Sequence, residues 1–76
     1  MKVKVYTAPW CVFCHAELEW LDKIGVPYEE INAEGLDFEA IPVTEIGETR
    51  IFGFDRPAIK LILKKEGLYE KNRHQI

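Results

Sequence analysis

The apolar positions of this 76-residue chain change period along its length, and each change marks an element. Val3 and Val5 alternate with Lys2 and Lys4, a period of two that predicts a strand over residues 2 to 6 with one buried face. Thr7-Ala8-Pro9-Trp10 breaks the alternation, and Pro9, which has no N–H to give a ladder, ends the strand. From residue 11 the period becomes helical. On a wheel of about 100° per residue, Phe13, Cys14, Ala16, Leu18, Trp20, Leu21 and Ile24 gather on one wide apolar face, with His15, Glu19, Asp22 and Lys23 opposite. Residues 11 to 24 are therefore predicted as a helix pressed on a sheet, closed by Gly25. Glu17 falls in the middle of the apolar face.

Residues 26 to 32 predict a second strand with Pro27 at its start. Residues 33 to 41 have weak periodicity, with Leu36 and Phe38 as anchors of a loop or a single helical turn. Residues 42 to 46 and 50 to 53 flank Gly47-Glu48-Thr49 as a hairpin. Asp55 is an N-cap with Pro57 in the first turn of a last helix. Ile59, Leu61, Ile62 and Leu63 form its apolar face, and it ends near Glu66 and Gly67. Leu68 and Tyr69 pack back on it, and residues 71 to 76 fray.

The order is β-α-β-(short link)-β-β-α, an α/β fold with a four-stranded mixed sheet in one domain spanning residues 1–76. The first three elements form a right-handed βαβ unit with parallel strands, and the hairpin joins the same sheet. The link must pass one strand, about 10 Å. Nine residues reach up to ~30 Å, so no helix is required there. Pro42 then starts its strand at the edge where the loop before Cys11 also lies.

No apolar run approaches the ~20 residues of a membrane span. The N-terminus is too charged for a signal peptide, so a cytoplasmic setting is expected. The net charge of −3 speaks against nonspecific nucleic-acid binding, which needs a basic face. From Glu17 to Glu48 ten carboxylates face one Lys, which keeps a small domain soluble or steers a basic partner. From Lys60 on, the balance is basic, as suits the C-terminal turn of a helix.

Cys11-Val12-Phe13-Cys14 carries the strongest chemical signal, because it follows a strand and opens a helix inside a βαβ unit. A thiolate is the nucleophile, and free N–H groups at a helix start stabilise it. A second Cys one turn later reaches the first and resolves a mixed disulfide. Cys11 is thus expected as the exposed attacker and Cys14 as the resolver. Zinc needs four ligands, and beyond the cysteines the soft ligands are His15, adjacent to Cys14, and His74 in the tail. Metal binding, a structural disulfide and a pair of inert buried thiols stay as alternatives to redox chemistry.

Other residues near the pair admit two readings each. Trp10 is an apolar wall for docking, or an aromatic closing the sheet end. Glu17 accepts the proton of Cys14, or is a rim carboxylate paired with a Lys or Arg, the reading preferred here. His15 reads as a solvated surface side chain. Tyr6 and Thr7 form part of a site for a ligand carboxylate, or simply end a strand. Pro42 faces the cysteines, or only starts a strand.

The chain resembles the glutaredoxins, with features similar to the small redoxins that act as hydrogen donors to ribonucleotide reductase. The resemblance rests on residues 5–14, 21–28, 40–43 and 53–57. It implies a thioredoxin fold, Cys11 as nucleophile, Cys14 as resolver and a cis Pro42. It also implies that the backbone at Ile41 and the Gly53-Phe54-Asp55 turn hold a peptide-like disulfide substrate or glutathione. The usual Pro-Tyr or Pro-Phe between the cysteines is Val-Phe here, and the family's second helix is reduced. Phe54 and Arg56 stand where most glutaredoxins have a Gly and an acid, which weakens glutathione binding and favours a thioredoxin reductase with NADPH as electron source. The function implied is that of a monomeric dithiol oxidoreductase acting on protein or glutathione mixed disulfides, with no bound cofactor and no metal. The alternative is an adaptor, or an iron–sulfur cluster holder, on the same fold.

Overall fold

Two helices share one face of a four-stranded sheet. A computed structural model of the chain describes residues 3–38 and 40–68. The elements are β1 (Val3–Thr7), α1 (Val12–Lys23), β2 (Glu29–Asn32), β3 (Val43–Ile46), β4 (Thr49–Phe52) and α2 (Arg56–Lys65). The sheet order is β2-β1-β3-β4. β2 runs parallel to β1, whereas β3 is antiparallel to both β1 and β4. The expected β-α-β-β-β-α order and mixed sheet are therefore present, and the described part of the link between β2 and β3 contains no helix.

Cross-strand pairing settles which side chains share a face. Val5 lies opposite Thr44, and Thr44 opposite Ile51, while Val3 lies opposite Ile46. Of these, Val3, Val5, Ile46 and Ile51 meet Leu18 and Leu21 of α1 and Ile59 and Leu63 of α2 in the main core. Burying each such side chain contributes about 1.5–3 kcal/mol. The other face carries Tyr6 and Arg50, and Phe38 from the β2–β3 link covers it. The Phe38 ring lies 5.0 Å from that of Tyr6, with the Arg50 guanidinium 5.7 Å above Phe38.

Both helices end in the same motif. The N–H of Gly25 donates to Asp22 and that of Val26 to Leu21, with Gly25 at φ +77°. Gly67 and Leu68 repeat this on Lys64 and Leu63. These bonds satisfy carbonyls that a helix end leaves open, and the left-handed conformation explains the glycine. Leu68 packs on the core as expected. Tyr69 and the tail from residue 71, like Met1 and Lys2, lie outside the described residues.

The elements differ from expectation in several places, the first being β1, which runs on through Thr7. β2 begins at Glu29 rather than residue 26, because the Val26 N–H closes α1 and Pro27 has none to give. The hairpin turn is Gly47-Glu48 alone, since Thr49 already pairs with Ile46. The buried line of α1 is narrower than the wheel suggested: Cys14, Glu17, Leu18 and Leu21 are inside, and Phe13, about 90° from that line, is exposed. Leu61 is exposed for the same reason, lying about 200° around α2 from Ile59. Leu36 is exposed too, so of the two anchors expected in the link it is Phe38 that packs on the sheet.

Candidate active site

β1 delivers the chain to a tight loop above the strand ends. The Cys11 N–H donates to the Ala8 carbonyl at 3.1 Å, and His15 Nε2 lies 3.0 Å from the Pro9 carbonyl, so the first turn of α1 grips the loop before it. Cys11 is the N-cap of α1, and its Sγ accepts the Cys14 N–H at 3.1 Å. A sulfur thus occupies the place usually held by the oxygen of Ser, Thr, Asp or Asn. The Cys11 and Cys14 sulfurs are bonded to each other, with the α-carbons 5.2 Å apart, inside the usual disulfide range.

The pair packs with Ala8 and Ile41 in a small cluster of its own. Cys14 is fully enclosed, and Cys11 is only 5% exposed. The expectation of an exposed Cys11 is not met in the disulfide: both cysteines are buried, because each sulfur is turned to the other and the pair is packed against Ala8 and Ile41. Exposure at this end comes instead from Trp10 (71%), Val12 and Phe13.

Ile41 and Pro42 approach from the other side. The Ile41–Pro42 peptide is cis, and Pro42 is buried at the head of β3. Gly53 donates its N–H to the Pro42 carbonyl at 2.7 Å, with φ +85°, so the turn after β4 ties down the proline turn. Asp55 Oδ1 accepts the Ala58 N–H at 3.2 Å and caps α2.

The site residues named from the sequence divide into two groups. Trp10 and Ile41 line a groove of about 280 Å³ beside the cysteines, together with Glu34, Leu36, Phe38 and Ala40. Phe54 lies elsewhere: it packs edge-on against Trp20, 5.9 Å between centroids, with the Arg56 guanidinium 5.7 Å from its centre. It lines a second concavity with Ala16, Glu19 and Lys23, apart from the Trp10 groove. Tyr6 and Thr7 point to opposite faces of the sheet. The Tyr6 hydroxyl donates to Glu45, and Thr7 Oγ1 donates to Glu30 at 2.8 Å. Burial first, then the Glu45 carboxylate, raises the Tyr6 pKa, and the same hydrogen bond holds Glu45 below its usual range.

Glu17 departs most from expectation. It is not a rim carboxylate and pairs with no cation. It is fully buried, its Oε2 accepts a hydrogen bond from Thr44 Oγ1, and its Oε1 has no partner. Burial pushes its carboxyl up to about 7, against the smaller opposing pull of the Thr44 hydroxyl. Thr44 was invisible as a site residue in the sequence; only its place two residues after Pro42, on the helix-facing side of β3, hints at it. Among the described residues no cluster of three or more His, Cys, Asp or Glu could hold a metal ion, and His74 lies outside them. No helix among those residues is long and apolar enough to cross a membrane.

This sheet order, with a Cys-x-x-Cys pair on the N-terminus of the first helix facing a cis-proline turn, defines a redoxin of the thioredoxin superfamily. Residues 3–50 match the family model Glutaredoxin, and the chain belongs to that family. Among solved structures it is similar to NrdH-redoxin from Escherichia coli, described as a glutaredoxin-like protein with a thioredoxin-like activity profile. There the identity is 26% and the TM-score 0.73, over 82% of this chain and 95% of that one. A glutaredoxin from Archaeoglobus fulgidus aligns at 23% identity and TM-score 0.70, over 83% of this chain and 86% of that one. A buckwheat glutaredoxin in complex with glutathione aligns at 19% and 0.66, over 90% and 81%. A comparison with curated proteins returned no match. Family and cysteine pair together support a thiol–disulfide redox role.

Proposed function

We propose that the protein is a dithiol oxidoreductase that reduces disulfides of other proteins, or mixed disulfides with glutathione, through Cys11 and Cys14. The observation that carries this is the place of Cys11: its Sγ caps α1, accepts the Cys14 N–H, and lies within bonding reach of a second cysteine. In the reduced protein Cys11 thiolate attacks a substrate disulfide, and one half of the substrate leaves as a thiol. A mixed disulfide remains on Cys11. Cys14 then displaces the second half, and Cys11–Cys14 is left oxidised, two electrons having passed to the substrate. An extended substrate segment lies in the groove of Trp10 and Ile41.

The donor that restores the dithiol is proposed to be a thioredoxin reductase drawing on NADPH, with glutathione the slower alternative. Likeness to a redoxin with a thioredoxin-like activity profile supports this order. So does the engagement of the Asp55 carboxylate in capping α2, which leaves it less free to bind the amine of glutathione. Ribonucleotide reductase is a proposed acceptor on the resemblance alone. The test is to measure NADPH oxidation with thioredoxin reductase and, separately, with glutathione plus glutathione reductase. Brisk turnover only with glutathione would overturn the donor, and turnover with neither would overturn the reading.

A further inference from the structure

We infer that Glu17 is the proton acceptor for Cys14 in the step that resolves the mixed disulfide. The inference rests on the dithiol reading and adds to it a residue outside the cysteine pair and the docking groove.

Four observations place Glu17 for this task. It follows Cys14 by three residues on α1, and both are fully buried on the same face. Side chains so spaced are neighbours, with β-carbons about 5–6 Å apart. A helical side chain leans toward the N-terminus of its helix, so Glu17 extends over the turn that holds Cys14. Thr44 secures Oε2, and among the described residues nothing donates to the enclosed Oε1. Buried polar atoms almost always have a partner. In the disulfide state Cys14 has no proton to offer; in the reduced state its S–H supplies the donor that Oε1 lacks.

The step balances as follows. Ionised Glu17 takes the Cys14 proton, directly or through one water. The resulting Cys14 thiolate attacks Cys11 Sγ, the Cys11–Cys14 bond forms, and the bond from Cys11 to the substrate sulfur breaks. The substrate leaves as a thiolate with that electron pair and takes a proton from solvent. When the donor later reduces Cys11–Cys14, Glu17 returns its proton to Cys14.

A general base works best when its pKa lies near the working pH. Burial brings the Glu17 carboxyl to about 7. Among the described residues no charged group pairs with it, and the carboxylate that β2 turns to this side, Glu30, is exposed and accepts a hydrogen bond from Thr7 Oγ1. β1 turns Val3, Val5 and Thr7 to this side, β3 turns Thr44 and Ile46, and α2 presents Ile59 and Leu63. Lys4 and Glu45, paired across β1 and β3, lie on the other face of the sheet. His15, Glu19, Asp22 and Lys23 of α1 are exposed.

The experiment follows the reduced protein with 5,5′-dithiobis(2-nitrobenzoate) by rapid mixing. The first nitrothiobenzoate released reports attack by Cys11, and the second reports displacement by Cys14; Cys14→Ser abolishes only the second. At about pH 8, Glu17→Gln is expected to slow the second release about tenfold or more, and to leave the first unchanged. Near pH 5.5, where Glu17 already holds its proton, the two proteins should agree within about twofold. Equal second-phase rates across the whole pH range overturn the inference. A missing first phase in wild type overturns the dithiol reading itself. Should Glu17→Gln fail to fold, wild type alone decides. The carbon-13 signal of the Glu17 carboxyl is titrated in the oxidised and the reduced protein. A midpoint that moves on reduction supports the shared proton, and identical midpoints refute it.

Discussion

The backbone amide of Cys14 points at the sulfur of Cys11 across 3.1 Å, so in the proposed cycle the resolving residue would also stabilise the attacking thiolate. That sulfur faces the open N–H groups of the first turn of α1, where negative charge is favoured. Alkylation of the reduced protein is therefore expected to modify Cys11 first, with a pH midpoint below the ~8.5 of a free thiol. Cys11→Ser should abolish disulfide reduction, and Cys14→Ser should stop at the mixed disulfide. Mass spectrometry of the trapped adduct checks both, and preferential labelling of Cys14 would reverse the roles.

Glu17 also links pH to stability. Its carboxyl moves from 4.5 to about 7 on folding, so the folded state holds the proton more tightly than the unfolded chain. That contribution is fully present below about pH 4.5 and is lost as pH rises through about 7. The displacement corresponds to ~3 kcal/mol. Urea unfolding should show wild type weakening between those limits relative to Glu17→Gln, which lacks the ionisation, with the variant the more stable at pH 8. Parallel curves would mean that the buried carboxyl does not titrate in this range. A group that weakens the fold at neutral pH, kept beneath a redox pair, fits a role in chemistry better than one in packing.

The core of this site was legible in the sequence because it is local. A strand that breaks at Pro9, a helix that starts at Cys11, and a second cysteine one turn on are all spacing arguments. The wheel likewise put Glu17 among apolar residues. It gave no partner, because the Thr44 hydroxyl comes from β3, 27 residues away, and only the register of Thr44 against Val5 sets its face. The packing of the Phe54 ring was hidden for the same reason. Sequence puts it in the turn before α2, but its ring is turned by Trp20, far along α1.

The turn that holds the proline depends on a glycine. Gly53 has φ +85°, and a β-carbon there would meet nothing within 4 Å, so crowding plays no part. Gly53→Ala is expected to cost about 1–2 kcal/mol through backbone strain alone. Because the Gly53 N–H holds the Pro42 carbonyl, disulfide reductase activity should fall along with the melting temperature. An unchanged melting temperature would show that the turn relaxes without the left-handed conformation.

Trp10 separates docking from chemistry. It is 71% exposed directly before Cys11, and it walls the groove shared with Ile41 and Phe38. A large aromatic left in water beside the cysteine pair contributes little to the fold, so Trp10→Ala should change stability by no more than about 0.5 kcal/mol. Aromatic anchors dominate contacts between proteins, and removing one commonly costs 2 kcal/mol or more, about thirtyfold in affinity. Trp10→Ala is therefore expected to lower kcat/KM for a protein disulfide at least about tenfold, chiefly through KM. Reduction of a small aliphatic disulfide, which touches little of the groove, should change by about twofold or less. Steady-state rates on the two substrates, measured with the same reductase, decide the matter. An equal loss on both would mean that Trp10 acts on the Cys11 thiolate itself and that the protein substrate docks elsewhere.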